Sequence, residues 1–176
     1  WDDDINVYEN PNVQTFTMSN VHNIFTTTII GHYNPLSILS FAAEYHFFGK
    51  DPFHFHLTNI LLHLINTFLV FLILMLLGMR SLWALLVSLL FGVHPMHVES
   101  VAWITERKDV LFTMFYLLAA LFYLYNQRTK KTKYLILTYL FFIFSLLSKI
   151  QAVSFPLTLL LFDYLLKRPL KFKLLI

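Results

Sequence analysis

The stretch His54-Phe-His56-Leu-Thr-Asn59-Ile-Leu-Leu-His63-Leu-Ile-Asn66-Thr-Phe-Leu-Val-Phe-Leu-Ile-Leu-Met-Leu-Leu77, closed by Gly78, decides the fold. About 20 consecutive, largely apolar residues cross the roughly 30 Å hydrocarbon core of a bilayer as one helix, and this run is long enough. Its polar residues follow a pattern: His56, Asn59, His63 and Asn66 recur at spacings of three, four and three, which puts them on one helical face. Lipid cannot satisfy imidazole and amide groups, so the stripe should face the bundle or a wet cavity. There it either joins helices by hydrogen bonds or belongs to a site.

Working outward, a second apolar run spans Ser81–Val93, too short to cross alone at about 1.5 Å per residue, so it must continue into the His94 segment. Further runs cover about 110–125, 134–147 and 152–166, the last two separated only by Ser148-Lys149-Ile150-Gln151. Composition agrees with a membrane setting: 57% of residues are hydrophobic, 18% aromatic and only 13% charged, with a mean hydropathy of +0.63. A soluble protein, with roughly a quarter of its residues charged, could not bury so much apolar surface. The expected class is all-α, a polytopic transmembrane bundle with about five membrane helices. The domains expected are an outer loop at 1–53 and the bundle at 54–176. Trp1 in place of Met suggests a fragment whose start is missing. The absence of cysteine excludes disulfides and thiolate metal sites, and a net charge of +3 is too weak a signal to suggest nucleic acid.

Cations set an orientation. With the N-terminal stretch outside, inner positions hold nine, Arg80, Arg128, Lys130, Lys131, Lys133, Lys167, Arg168, Lys171 and Lys173, against Lys50, Arg107, Lys108 and Lys149 outside. Nine of ten acids, all but Asp163, and all eight histidines fall on the outer side. Within residues 1–53, Asn10-Pro11-Asn12 reads as a turn and Leu36–Phe48 as an amphipathic helix lying on the membrane.

Ionisable residues between apolar spans mark a site, and the densest run is His94-Pro-Met-His97-Val-Glu99-Ser-Val-Ala-Trp103-Ile-Thr-Glu106-Arg107-Lys108-Asp109. Its His94, His97 and Glu99 have the chemistry of zinc ligands or of hydrogen-bond partners to a ligand. Glu106-Arg107-Lys108-Asp109 reads either as local ion pairs or, with Lys149, as a cation cluster for a phosphate or pyrophosphate. Asp2-Asp3-Asp4 is either a solvated patch or a source of a general base or a divalent-ion ligand. A glycine-rich phosphate loop, His-Glu-x-x-His and Gly-x-Ser-x-Gly are all absent.

An ordered series carries a resemblance: Trp1-Asp2-Asp3, Glu9-Asn10-Pro11, Tyr33-Asn34-Pro35-Leu36-Ser37, Phe48-Gly49 with Pro52, the His56 to Asn66 stripe, the His94–Asp109 block, Ser148-Lys149, and Asp163-Tyr164. It resembles the membrane domain of bacterial tetratricopeptide-repeat glycosyltransferase-like proteins, which are similar to the transmembrane O-mannosyltransferases that target cadherins. Asn34 departs from the pattern, since many relatives carry His or Arg there. The resemblance implies a C-type glycosyltransferase, an inverting enzyme that moves mannose or another hexose from a polyprenyl-phosphate donor to a hydroxyl acceptor, protein Ser/Thr or a glycan. It implies a catalytic acidic pair at Asp2-Asp3; the reading of the residues then takes Asp2 as the base, with Asp3 as the alternative, and assigns donor-phosphate contacts to Arg107, Lys108 and Lys149 and substrate orientation to Tyr33, His56, His94, His97, Glu99, Glu106 and Asp109. No cofactor or metal is implied. The setting implied is a bacterial inner membrane with the site facing the periplasm or exterior. A first helix would precede Trp1, and more spans and the repeats would follow Ile176, with membrane complex partners open. The rival readings are a non-catalytic scaffold or transporter subunit, whose polar groups scatter among helix contacts, and a metalloenzyme using His94 and His97.

Overall fold

A computed structural model describes residues 2–28 and 31–167, and every regular element among them is helical. Trp1, Arg168, Lys171 and Lys173 lie outside the described residues.

The residues before the first long helix fold as a cap. A short π-helical turn, Asp4–Tyr8, leads into α1 (Pro11–Gln14), α2 (Met18–Thr26) and α3 (Pro35–Phe48). Local chemistry starts each helix. The Asn10 side chain accepts from Asn12 N at 3.0 Å, Thr17 accepts from Asn20 N at 3.3 Å, and Pro35 opens α3 where an N–H would lack a helical partner. The helix expected at Leu36–Phe48 is present, but it is not a one-sided strip. It buries polar Ser37 and Glu44 together with Ile38, Phe41 and Ala42, because α1 and α2 cover it on one side and the bundle on another. These apolar residues join Val7, Val13, Ile24, Phe55 and Ile104 in one core. The large apolar side chains that α3 exposes are Phe47 and Phe48.

The bundle comprises α4 (Pro52–Leu76), α5 (Ser81–Gly92), α6 (Val98–Ala102), α7 (Arg107–Thr129), α8 (Thr132–Ser148) and α9 (Phe155–Leu165). All five expected apolar runs are helical. Their lengths differ: α4, with 25 residues, and Ile104–Thr129, with 26, are long and apolar enough to cross a membrane alone. The α5 helix reaches span length only with its continuation Pro95–Ala102, which is bent by 47°. Pro95 explains the break, since it disfavours helical backbone at His94 and cannot continue the i→i−4 ladder. The α8 helix and Ile150–Leu165 are shorter apolar helices.

Contacts fix the directions. The starts of α4 and α7 meet where Arg107 reaches Phe55 and Asn59, and their ends meet where Arg128 donates to Leu76 O, so the two run parallel. The α8 helix returns along α7, with Tyr125 stacked on Tyr134 and Ser145 Oγ donating to Phe112 O at 3.1 Å. From there α9 turns back, Phe155 against Tyr116 and Asp163 accepting from Tyr123 Oη at 2.8 Å. The cap, Arg107, Lys108, Asp109 and Lys149 therefore share one end of the bundle. Arg80, Arg128, Lys130, Lys131, Lys133 and Lys167 sit at the other.

Candidate functional site

The polar stripe of α4 is the foundation of the cap end. Asn59 and Asn66 are 0% and 1% exposed, and His56 and His63 are half-buried. Asn59 donates to Trp103 O at 3.1 Å and accepts from Arg107 Nε at 2.9 Å, while Asn66 donates to Val110 O at 2.8 Å. A His63 ring nitrogen lies 2.9 Å from Gly92 O. A Cβ at Gly92 would stand 3.0 Å from Thr67 Oγ1, so α4 and α5 approach closely there because residue 92 has no side chain.

Arg107 does not stand where the sequence reading put it. It is fully buried: Nη1 pairs with Glu44, Nη2 donates to Phe55 O at 2.8 Å, Nε donates to Asn59, and the guanidinium lies 4.4 Å over the Phe41 ring. An arginine out of water requires a carboxylate and satisfied N–H groups, and the protein supplies both. The expected phosphate contact at Arg107 is therefore corrected to an internal pin joining α3, α4 and α7. The cause is the helix start. The α7 helix begins at Arg107 rather than at Val110, and residue 107 shares the inward face with buried Val110 and Leu111.

The other two cations face open space. Lys108, paired with Glu106 Oε1 at 2.8 Å, and Lys149, paired with Asp109, both line a cavity of about 540 Å³ whose wall includes Tyr33, Asn34 and Ser148. Lys149 also borders a smaller cavity of about 230 Å³, lined by His63, Asn66, His97, Ser100 and Asp109. Asp109 accepts from Ser100 Oγ at 3.3 Å through its second oxygen. Among the expected site residues, the larger cavity thus brings together Tyr33, Glu106, Lys108 and Lys149, and the smaller one His97, Asp109 and Lys149.

Asp3 is tied to the same region across a long separation in sequence. Its Oδ1 accepts from Thr105 N at 2.9 Å and from the Thr105 hydroxyl, next to the cavity-lining Glu106. Asp2 is exposed, and its carbonyl accepts from Asn6 Nδ2 at 2.9 Å. Burial, reinforced by the carboxylates of Asp3, Asp4 and Asp51, pushes the Tyr8 hydroxyl pKa up. His94 is exposed and caps the turn Pro95–His97, its Nδ1 accepting from Met96 N at 3.2 Å. With His63 and His97 it borders a third cavity of about 250 Å³. Glu99 is exposed on α6, and His56 lines none of these three cavities. Among the described residues, no three His, Asp or Glu side chains converge as metal ligands.

Sequence reasoning gave no site role to Glu44, Thr105, Ser100 or Ser148. For Glu44 a signal existed. An arginine opening an apolar span must snorkel or find a buried carboxylate, and Glu44 is the lone acid of the apolar stretch Pro35–Phe48.

Apolar helices long enough to cross a bilayer, with a cavity lined in part by two lysines at one end of the bundle, define the class as a helical membrane protein. The chain belongs to the dolichyl-phosphate-mannose-protein mannosyltransferase family, which matches residues 35–175. It is 37% identical over 124 residues to "Protein O-mannosyl-transferase Tmtc1" of Drosophila melanogaster, a match covering 70% of this chain and 14% of that protein. It is 39% identical over 114 residues to "Protein O-mannosyl-transferase tmtc2" of Xenopus laevis, covering 61% of this chain and 14% of that protein. With "Protein O-mannosyl-transferase TMTC1" of Homo sapiens it shares 42% identity over 96 residues, covering 52% and 10%. The chain thus spans 14% or less of the length of these relatives. No solved structure matches it.

Proposed function

We propose that this chain is part of the membrane domain of an inverting glycosyltransferase that moves a hexose, mannose by analogy with its relatives' names, from a polyprenyl-phosphate donor to a hydroxyl acceptor on protein Ser or Thr. The observation that carries the reading is the convergence of Lys108 and Lys149 on one cavity whose wall also holds Glu106, next to the Thr105 that anchors Asp3. A scaffold would leave such charges dispersed among helix contacts, as Arg107 is.

In this reading the acceptor oxygen attacks the anomeric carbon from the face opposite the phosphate. The bond from the anomeric carbon to the phosphate oxygen breaks, and that oxygen leaves with the electron pair. The acceptor proton passes to Asp2, with Asp3 holding the segment against Thr105. Lys108 and Lys149 offset the charge gathering on the departing phosphate. The lysines supply charge stabilisation of the kind a metal would otherwise give such a leaving group, so this reading routes no step through a metal.

The test is transfer from a polyprenyl-phosphate mannose to a Ser/Thr peptide by the full-length enzyme. Asp2→Asn should lose about 100- to 10,000-fold in turnover while keeping its fold and donor binding. Near-normal turnover of the Asp2→Asn, Asp3→Asn double variant would remove the assignment. We further place the cap end outside the cytoplasm, an orientation supported by the cation asymmetry, and take a bacterial inner membrane, with the site facing the periplasm, as the setting. Ser19→Cys should then label from the outer side and Thr129→Cys should not; the reverse result overturns the orientation.

A further inference from the structure

We propose that Phe16, Phe47, Phe48 and Phe53 form one lipid-facing surface that seats the cap in the headgroup layer of the bilayer on the cap side. The membrane setting alone carries this seat, and the sugar-transfer reading does not enter it.

The rings come from three separate segments: Phe16 from the link between α1 and α2, Phe47 and Phe48 from the last turn of α3, and Phe53 from the first turn of α4. They are between 46% and 76% exposed. Two histidines join them into one band. The Phe16 ring lies 5.8 Å from that of His46, which lies 5.3 Å from Phe47. Phe47 is 6.4 Å from Phe48, Phe48 stacks on His54 at 4.2 Å, and Phe53 is 5.5 Å from His54. A contiguous apolar band left open on a folded chain marks a contact with protein or membrane.

The position of the band selects the membrane. The α4 helix has 25 residues and rises about 37 Å, whereas hydrocarbon is about 30 Å thick and a bilayer with its headgroups about 40–45 Å. With the far end of α4 at one hydrocarbon boundary, Phe53 stands in the headgroup layer of the opposite leaflet. The band is also continuous with the lipid-facing side of the span. Phe53, Leu57, Ile60, Leu61, Leu64 and Phe68 are exposed and share one face of α4, away from buried Asn59 and Asn66.

Chemistry sets the depth. His46, Lys50, Asp51 and His54 stand among or beside the rings, with His54 Nδ1 3.5 Å from Asp51. Hydrocarbon does not satisfy imidazole or charge, and water disfavours four open phenyl rings. The boundary between headgroups and acyl chains accommodates both. Lys50 and Asp51 have opposite signs, so the rings supply the attraction. The cap also brings Asp3 to Thr105 and Tyr33 to the larger cavity, and the seat thereby fixes the height of that cavity relative to the headgroups.

The test places the photo-crosslinker benzoylphenylalanine at Phe47, Phe48 or Phe53, one at a time, in the full-length protein. It is reconstituted in vesicles of phosphatidylcholine alone and of phosphatidylcholine mixed with phosphatidylglycerol. Thr26, exposed at the other end of α2, about 13 Å along that helix from its start, is the reference position. Irradiation should give at least about fivefold more lipid adduct at the ring positions than at Thr26, with equal yields in the two vesicle types. Three positions probed singly keep the test decisive if one of them disturbs folding. Adducts to a second copy, or to another segment of the chain in place of lipid, overturn the seat. So does an equal lipid yield at Thr26, and so does a yield that appears only with phosphatidylglycerol, which would make charge rather than the rings the source of contact.

Discussion

The two ends of the bundle combine polar and apolar contacts in different proportions. At the cap end, α3, α4 and α7 meet on directional polar contacts: Arg107 with Glu44, Asn59 and Phe55 O, Asn59 with Trp103 O, and Asn66 with Val110 O. Toward the far end, α4, α7, α8 and α9 meet on Leu69, Ile73, Ala119, Ala120, Leu124 and Phe155, with Phe122 and Phe141 stacked alongside. In hydrocarbon, burying apolar surface brings helices together only weakly, so the far end depends more on small residues and close packing, beside the hydrogen bonds of Tyr123 to Asp163 and Arg128 to Leu76 O. The cap end can be positioned more finely, because each hydrogen bond specifies a distance and a direction. A cavity that must hold a ligand's reacting atoms in place benefits from that.

The strongest way to break this comparison is to remove the pin. Arg107→Leu leaves the Glu44 carboxylate buried without its partner, and losing one member of a buried pair costs about 3–5 kcal/mol. Thermal unfolding in detergent, followed with cap-specific proteolysis, should show the cap loosening at a lower temperature than the far end. A uniform small shift in both would mean that the cation carries no more than the apolar contacts do. The matching change at the far end is Ala119→Leu. Ala119 is 0% exposed, and overpacking a filled interface costs about 1–3 kcal/mol. This variant should destabilise the packing of the core around α7 while leaving cap proteolysis unchanged. Loss of cap protection in Ala119→Leu would show that the two ends unfold as one.

The same contrast explains what the sequence made legible. The apolar helices followed from run length, and the inward stripe of α4 from its spacing, because bilayer thickness and helix period are fixed quantities. The cap was less readable. Leu36–Phe48 mixes polar and apolar residues, as a helix on a membrane surface would, and only the position of α1, α2 and α7 around it shows that Glu44 and Ser37 are inside. The cation cluster was half legible for a similar reason. Arg107, Lys108 and Lys149 look equivalent by type and neighbourhood, but the helix starting at residue 107 rotates the first inward and leaves the second facing the cavity. Asp3 meeting Thr105 is a contact across most of the chain, and no local periodicity encodes it.

The smallest expected change in stability sharpens the comparison most, because it separates cations that hold the fold from cations that hold a ligand. Lys108 and Lys149 are 18% and 22% exposed, and their partners Glu106 and Asp109 are 15% and 27% exposed, so each pair keeps a contact with solvent that Arg107 and Glu44, at 0% and 6%, lack. Removing one member of such a partly solvated pair should cost less than the about 3–5 kcal/mol expected for a fully buried one. Lys108→Gln and Lys149→Gln, alone or together, should therefore move the unfolding temperature far less than Arg107→Leu does. Binding of polyprenyl phosphate should respond in the opposite order. An ammonium facing a phosphate in a partly desolvated cavity makes a charge-assisted hydrogen bond of about 1.5–3 kcal/mol, so the double variant should lose at least tenfold in affinity. Raising the ionic strength should weaken wild-type binding and affect the double variant little, since its charges in the cavity are gone. If the double variant instead unfolds like Arg107→Leu and binds polyprenyl phosphate normally, Lys108 and Lys149 belong with Arg107 as structural cations, and the phosphate would have to lie elsewhere.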